Sequence, residues 1–387
     1  MPEKKRHHYV PKLYLRYFSK DLKSITVFSI KSAKVVSTQA PIARQCYEDY
    51  LYGKDPGFEN KLGELEGATQ TVLKKIHSQN RLPKKGTDDY FILLVFIMYQ
   101  QARTLYAADQ TDEWIDKLAK TIVKLDLKAS GRTDITPEEI DSAKITLKEP
   151  AKFNIRAISE NIPLLLDMDC KLIVNRTKKE FITSDNPVIL YNKYYLNEDR
   201  NYTGLACKGL LIFYPLSSKH YLIYFDPNIY LIRNSLFRKF RILKNSKDCH
   251  SLNILQTINA NENLYTLNSN EEELLDLLSK AKGFRSTDKF SVQDFILKKR
   301  DGKVGQFIHS SKQRIRFNLE ISFLTVKKKI DKFYLNQFLV REPALVKLHQ
   351  EFIAGIDDRK YKPSEWAKFL KDKKEQSKKS QPSESGN

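Results

Sequence analysis

Long hydrophobic runs and closely spaced cysteines are both missing from this chain of 387 residues. The longest apolar run extends only from Phe91 to Met98, which is far shorter than the roughly 18–20 residues of a membrane-spanning helix. The first residues are charged and contain no apolar signal-peptide stretch, so we expect a cytoplasmic protein without a membrane partner. The cysteines are too far apart in the sequence for a local zinc site, and we expect them to be reduced structural thiols: Cys46, Cys170, Cys207 and Cys249.

The common catalytic signatures are also missing. The sequence contains no glycine-rich phosphate loop, no nucleophile elbow and no helix with two zinc-binding histidines. Acidic residues are outnumbered, with 47 Asp and Glu against 67 Lys and Arg, which gives a formal net charge of +20. Such an excess favours anionic partners, namely nucleic acid, an acidic protein or a membrane surface. Of these we expect nucleic acid, either RNA or DNA.

Hydrophobic periodicity predicts an α+β fold in which a helical N-terminal half packs with a mixed, mainly antiparallel β region. A hairpin is predicted at 24–29 and 34–38, and helices at 58–78, from Asp88 or Asp89 to about 108, at 113–127, from 136 and at 150–166. Strands are predicted at 171–175, 180–183, 210–213, 221–225 and 230–232, and residues 239–282 are predicted to be helical again. We expect a main domain at 1–284, a C-terminal α/β lobe at 285–370 and a disordered basic tail at 371–387, where apolar residues are almost absent.

The N-terminal segment combines two histidines with large apolar residues. His7 and His8 precede a Val-Pro step, and Leu13, Tyr14, Leu15 and Phe18 follow, with Arg16 among them. A large apolar patch of this kind should dock on the helices of residues 58–108, because it would otherwise be exposed to water. Docking would bring His7 and His8 to a fixed place, where imidazoles bind metals or transfer protons near neutral pH. The alternative is that both histidines belong to an exposed basic arm.

Two helices carry polar residues at the edge of an apolar face. Glu59 and Glu66 lie seven positions apart on the first of these helices, so their side chains point in the same direction. Gln100 and Arg103 share a face at the end of the second helix. Because Arg103 follows a buried stretch, we expect a partner for its charge, either a carboxylate such as Glu59 or Glu66 or an anionic ligand. A purely structural ion pair is the alternative to a catalytic one.

A third polar group follows a predicted strand, at Ser184, Asp185, Asn186 and Pro187. Its residue types are those of an Asx turn, which is the structural alternative to a functional site.

These motifs, together with Phe213-Tyr214-Pro215-Leu216-Ser217, resemble the bacterial family called domain of unknown function 4238. The resemblance covers roughly residues 5–280. It implies positions for a site but little chemistry.

The polar motif residues suit metal-assisted cleavage of a phosphodiester, in which oxygen ligands hold a divalent ion, an imidazole moves a proton and a guanidinium stabilises charge. We therefore expect a nuclease, with His8, Glu66, Arg103 and Asp185 as catalytic residues. Mg²⁺ or Mn²⁺ would bind Glu59, Glu66 and Asp185. The substrate would contact His7, Arg16, Gln100, Ser184 and Asn186.

Two further functions fit the same residues. The protein could be a binding module for nucleic acid or protein without catalytic activity, in which the polar cluster is a structural network. It could also be an enzyme for a small phosphorylated substrate. A role in a bacterial toxin or in defence against phage is an association with poorly characterised bacterial families, and no residue indicates it.

Overall fold

The computed structural model describes residues 5–199, 201–268, 270–285, 290–298, 304–312, 314–331, 334–335 and 339–379. It has an α+β fold with mixed and antiparallel sheets, as the sequence predicts. The strands are β1 (Arg6–His8), β2 (Ser24–Ser29), β3 (Lys34–Pro41), β4 (Tyr47–Asp49), β5 (Asp169–Asn175), β6 (Thr183–Ser184), β7 (Ile189–Tyr191), β8 (Leu211–Pro215), β9 (His220–Phe225), β10 (Tyr230–Leu231), β11 (Arg241–Leu243), β12 (Asn263–Thr266), β13 (Phe290–Lys298), β14 (Val304–Lys312) and β15 (Thr325–Val326). The helices are α1 (Lys12–Leu15), α2 (Pro56–Gln79), α3 (Asp88–Ala102), α4 (Leu105–Ser130), α5 (Pro137–Ser142), α6 (Pro150–Asn161), α7 (Ser246–Asn259), α8 (Glu271–Ala281), α9 (Pro343–Asp357) and α10 (Trp366–Lys379).

A five-stranded sheet in the order β11-β5-β9-β8-β7 forms the centre of the molecule. Strand β11 runs parallel to β5, and the other neighbours are antiparallel. Leu172 and Val174 of β5 face a core formed with α2, α3 and the N-terminal motif, whereas Ile173 between them faces a second core that contains α7. Because both faces are covered, the central strands are apolar throughout rather than alternating.

The N-terminal motif packs against the helical layer, as predicted. Tyr14, Leu15 and Phe18 are fully buried in the same cluster as Leu73 of α2 and Leu93 of α3. The Tyr14 hydroxyl also donates to the Pro215 carbonyl at 2.7 Å, so the motif is fixed to β8 as well. The segment that carries His7 and His8 is therefore part of the core and not a loose arm.

A four-stranded antiparallel sheet in the order β3-β2-β12-β6 lies beside α7 and α8. The prediction of continuous helix over 239–282 is wrong here, because β11 and β12 interrupt it. The turn before β12 depends on Asp185, whose carboxylate accepts the backbone N–H groups of Asn261, Glu262 and Asn263. A partner so distant in sequence leaves no local signal.

The helix predicted to continue to residue 108 ends at Ala102 instead, and α4 starts two residues after Arg103. The break is stabilised by Thr104, whose side chain accepts the N–H of Ala107 as an N-cap. At the other end of α3 the N-cap is Thr87, and Asp88 and Asp89 lie in the first turn rather than at the cap.

The C-terminal residues add to the main body and also form a small core of their own. Leu319 and Phe323 pack in the core that faces α7, on the far side of the central sheet. Phe352, Trp366 and Phe369 form a separate cluster between α9 and α10. Residues 371–379, predicted as the start of a disordered tail, continue α10, and residues 380–387 lie outside the described part. Tyr361–Asp372 and Lys373–Glu351 contacts hold this helical extension in place.

No single helix within the described ranges is long and apolar enough to cross a membrane. Helices α3 and α4 pass that test of length and composition only as a pair, bent by 57°.

Candidate functional site

The two N-terminal histidines lie on opposite faces of strand β1, which pairs with β4. His7 is buried, its ring stacks on Tyr52 at 5.3 Å between centroids, and its Nδ1 accepts the backbone N–H of Tyr52 at 3.1 Å. His8 is half-buried, with Nε2 3.3 Å from the carbonyl of Ala43. Burial, and then the charge of Lys12, lower the pKa of His8, so its imidazole is neutral at pH 7.

Arg103 is the centre of a buried polar cluster. Its side chain is 2 % exposed, and Nη1 donates to Glu66 Oε1 at 2.8 Å, which confirms the predicted carboxylate partner. Nη2 donates to Gln100 Oε1 at 3.3 Å, while Gln100 Nε2 donates to the carbonyl of Tyr9. Burial acts to lower the pKa of Arg103, but Glu66, together with Tyr52 and Tyr214, acts in the opposite direction and the net shift is upward.

Glu66 and Glu59 lie at the rim of this cluster. Glu66 keeps 26 % of its side chain exposed, and its charge acts on His8. Glu59 is half-buried, and its charge acts on Tyr52. The structure thus brings together His7, His8, Glu59, Glu66, Gln100 and Arg103, which we call the N-terminal cluster.

Two basic residues lie near His8 at the exposed edge of the N-terminal cluster: the charge of Lys12 acts on the imidazole, and Arg44 follows Ala43, whose carbonyl His8 contacts. Arg16 lies one helical turn after Lys12. Helix α1, which begins at Lys12, packs against the short 3₁₀ helix that ends at Arg44. Lys12, Arg16 and Arg44 are exposed, and none of them forms an ion pair with another described residue. We call these three residues the basic rim.

The Ser-Asp-Asn group forms a second cluster with different partners. Ser184 Oγ accepts from Gln256 Nε2 at 2.8 Å and from the backbone N–H of Asn186 at 3.1 Å. Asn186 and Asn259 exchange amide-to-carbonyl hydrogen bonds at 2.9 and 2.7 Å. The local bonds are those of a turn, which the sequence predicts as the structural alternative to a functional site. Gln256 and Asn259 of α7 add further hydrogen bonds to this turn.

Asp185 is 3 % exposed, and both of its oxygens accept backbone N–H groups, at 2.7 to 3.0 Å. Burial raises the pKa of this carboxyl to about 6, although the three N–H donors act in the opposite direction. The predicted single site therefore divides into two clusters, and in the described ranges no three His, Cys, Asp or Glu side chains converge as metal ligands. The clusters are joined at Thr104, whose Oγ1 lies 3.4 Å from Asn186 Oδ1.

Sequence reasoning missed a pair of histidines that links the other family motifs. His77, at the end of α2, has Nδ1 3.1 Å from Nδ1 of His220 at the start of β9. Ser217 Oγ is 3.0 Å from the same His220 nitrogen, and Tyr17 packs on the His77 ring at 4.0 Å. Burial lowers the pKa of His77 to about 3 and that of His220 to about 4. The sequence gives one indication of this contact: His77 lies on the same face of α2 as Glu59 and Glu66.

A family profile described as "Protein of unknown function (DUF4238)" matches residues 6–270. The match covers more than half of the chain and includes both clusters and the histidine pair, so the chain belongs to this family. No curated protein and no solved structure matches it.

Proposed function

We propose that this member of a family of unknown function binds nucleic acid beside its N-terminal motif, where the basic rim contacts the phosphates. The observation that carries the proposal is a set of three exposed cations with no ion-pair partner among the described residues, on the two segments that adjoin the half-buried imidazole of His8. Lys and Arg contacts to phosphates supply most of the sequence-independent affinity for nucleic acid.

At the exposed edge of the N-terminal cluster, His8 and Glu66 are the polar groups placed to contact a bound phosphodiester. The neutral imidazole of His8 is suited to accept a proton. Arg103 is too deeply buried to contact a substrate directly, and we assign it as a positioning residue that fixes the orientation of Glu66. On this arrangement we propose phosphodiester hydrolysis, in which His8 takes a proton from an attacking water. The water oxygen bonds to phosphorus, the bond from phosphorus to the leaving oxygen breaks, and the leaving oxygen takes up a proton from solvent. The Glu66 carboxylate accepts a hydrogen bond from the attacking water and orients it.

A contribution of Mg²⁺ or Mn²⁺ would involve Glu59 and Glu66, since carboxylate oxygens are the ligands these ions prefer. Asp185 does not fit the metal role expected for it, because its oxygens are occupied by the N–H groups of the turn at 261–263. The proposed proton transfer at His8 needs no metal ligand from Asp185, and adding the ions tests whether Glu59 and Glu66 hold one of them.

The binding test compares two triple variants that change the net charge equally, from +20 to +17 (20 − 3). The first replaces Lys12, Arg16 and Arg44 by Ala, and the control replaces the exposed Lys31, Lys347 and Lys362. Fluorescence anisotropy with labelled RNA and DNA over a range of salt concentrations gives the affinities. If all three rim residues contact phosphates, the slope of log K against log salt should decrease by about 2–3 units in the rim variant only. Equal losses in both variants would place the binding elsewhere, and absence of binding at low salt would remove nucleic acid from the proposal.

The cleavage test uses the same substrates with chelator, Mg²⁺ or Mn²⁺. His8→Ala and Glu66→Gln should each abolish cleavage while leaving the salt-dependent binding nearly intact, because the rim charges remain. Cleavage that persists in both variants would contradict the assignment.

A binding module without catalysis is the second candidate function. It is favoured by the hydrogen bonds of Ser184, Asp185 and Asn186, whose side chains are all bonded to protein groups and leave little capacity for a substrate. Binding without cleavage under any of the three metal conditions would support it. Cleavage of a small phosphorylated compound without nucleic-acid binding would instead support the small-substrate enzyme. The expected cytoplasmic location and the role in a toxin or in phage defence remain predictions.

A further inference from the structure

A pocket of about 360 Å³ lies between α3, α4 and α6, and residues on both sides of the α3–α4 break line it. Its volume is within the range of small-molecule sites. Ala102, which also lines it, directly precedes Arg103, so the pocket adjoins the N-terminal cluster. The described residues that line it carry no charged side chain, which disfavours a phosphate or a carboxylate as the bound group.

The lining is rich in amides, and one of them is buried without a partner. Gln110 is 4 % exposed, and its Nε2 has no hydrogen-bond partner among the residues that the structure describes. A buried donor of this kind is costly unless a ligand or an ordered water satisfies it. Asn161 Nδ2 donates to the carbonyl of Ala157 at 2.8 Å, which leaves Asn161 Oδ1 as an acceptor. Gln101 adds a further half-buried amide.

The remaining walls are aliphatic and consist of small and branched side chains, including Ala107, Ile158 and Leu205. Thr111 and Asn154 are bonded to each other at 2.7 Å and close one side. The pocket therefore offers separate donors and acceptors between apolar surfaces. A neutral, planar ring whose edge alternates acceptors and donors matches that pattern, as Asn and Gln match the edges of bases.

We propose that this pocket binds a single nucleobase, with Gln110 Nε2 donating to an acceptor on the edge of the base. This inference rests on the proposed function, because the base would belong to the nucleic-acid strand whose phosphates contact the basic rim. Proteins that bind single strands commonly take individual bases into such pockets. A free nucleoside presents the same base and separates the two proposals experimentally.

The test measures adenosine, guanosine, cytidine and uridine binding to the full chain by titration calorimetry, with Gln110→Leu and the control Gln70→Leu. Gln70 lies on α2 outside the pocket. At least one nucleoside should bind, and Gln110→Leu should lower its affinity by about two- to tenfold, as expected for the loss of one hydrogen bond. Gln70→Leu should leave it unchanged. Without ligand, Gln110→Leu should not lower the midpoint of thermal unfolding, because its amide nitrogen has no protein partner to lose.

A second arm compares a short single-stranded oligonucleotide with an abasic backbone of the same length and charge. The oligonucleotide should bind more tightly, and Gln110→Leu should reduce that difference without affecting the abasic strand. If no nucleoside binds and both strands bind equally, the base pocket is refuted while nucleic-acid binding stands. If a nucleoside binds but neither strand does at low salt, the pocket stands and the proposed function fails.

Discussion

Replacing Glu66 should destabilise the protein more than replacing its partner Arg103. The two side chains share one ion pair, but Arg103 is 2 % exposed and Glu66 is 26 % exposed. Without Glu66, the buried guanidinium loses its shorter hydrogen bond and its ion pair, and the longer bond to Gln100 remains. Among the described residues its Nε has no hydrogen-bond partner. Breaking a buried pair in this way costs about 3–5 kcal/mol. Without Arg103, Glu66 can turn toward water, and we expect a loss of about 1–2 kcal/mol.

Urea unfolding of Glu66→Ala, Arg103→Met and the double variant tests this asymmetry. The double variant leaves no unpaired charge, so its loss should be smaller than the sum of the two single losses by about 2–3 kcal/mol. Glu64→Ala, at an exposed position of the same helix, is the control and should change stability by less than about 0.5 kcal/mol. Additive losses, or a larger loss for Arg103→Met than for Glu66→Ala, would refute the reasoning.

Three further predictions concern stability. Deletion of residues 1–18 should lower the thermal midpoint, because Tyr14, Leu15 and Phe18 each contribute about 1.5–3 kcal/mol by burial; an unchanged midpoint would show that the motif is dispensable. The pKa values of His77 and His220 are lowered in the folded protein, so the unfolded chain binds more protons between pH 6.5 and 4. The contribution of these histidines to the free energy of unfolding therefore decreases as the pH falls through that range. The decrease is up to about 1.4 kcal/mol per pH unit for each histidine. His220→Gln should flatten the pH profile of urea unfolding, and an identical slope would contradict this. Asp185→Asn should destabilise by about 1–3 kcal/mol because the amide cannot accept all three N–H groups. Because burial raises the pKa of Asp185 to about 6, its own contribution is full below about pH 4 and is lost as the pH rises through 6, so the penalty of Asp185→Asn should be larger at pH 4.5 than at pH 8.

The sequence predicts best what depends on local periodicity. The apolar stripe of α2 is buried at Leu62, Val72 and Ile76 as its spacing indicates. The helix predicted from residue 136 begins there, because Thr136 is the N-cap of α5 and Glu139 completes a capping box. The partner of Arg103 could also be anticipated, because a guanidinium that follows a buried helix needs a carboxylate and α2 supplies one.

What the sequence does not predict depends on contacts between distant segments. Strand β12 is too short for a clear pattern, and its turn is fixed by a carboxylate that precedes it by more than seventy positions. The His77–His220 contact joins the end of a helix to the start of a strand, and neither residue has a metal-ligand or catalytic spacing in the chain. The assignment of Asp185 to the same site as Glu66 rested on residue type alone, which does not distinguish a ligand from a turn-forming carboxylate.

The break between α3 and α4 explains why the family motifs form two clusters and still belong together. Arg103 and Thr104 are adjacent in the chain, but Arg103 points to Glu66 and Thr104 to Asn186. In an uninterrupted helix, adjacent side chains are rotated by about 100° around the axis. Arg103 and Thr104 would then both lie on the surface of the same helix. Ending one helix at Ala102 and starting another at Leu105 lets each residue reach a different layer of the fold. Gln101 and Ala102, which lie just before the break, line the pocket between α3, α4 and α6. A change at this junction would therefore disturb the N-terminal cluster, the Ser184–Asn186 turn and the pocket together, which connects the proposed phosphate and base contacts through one short segment of backbone.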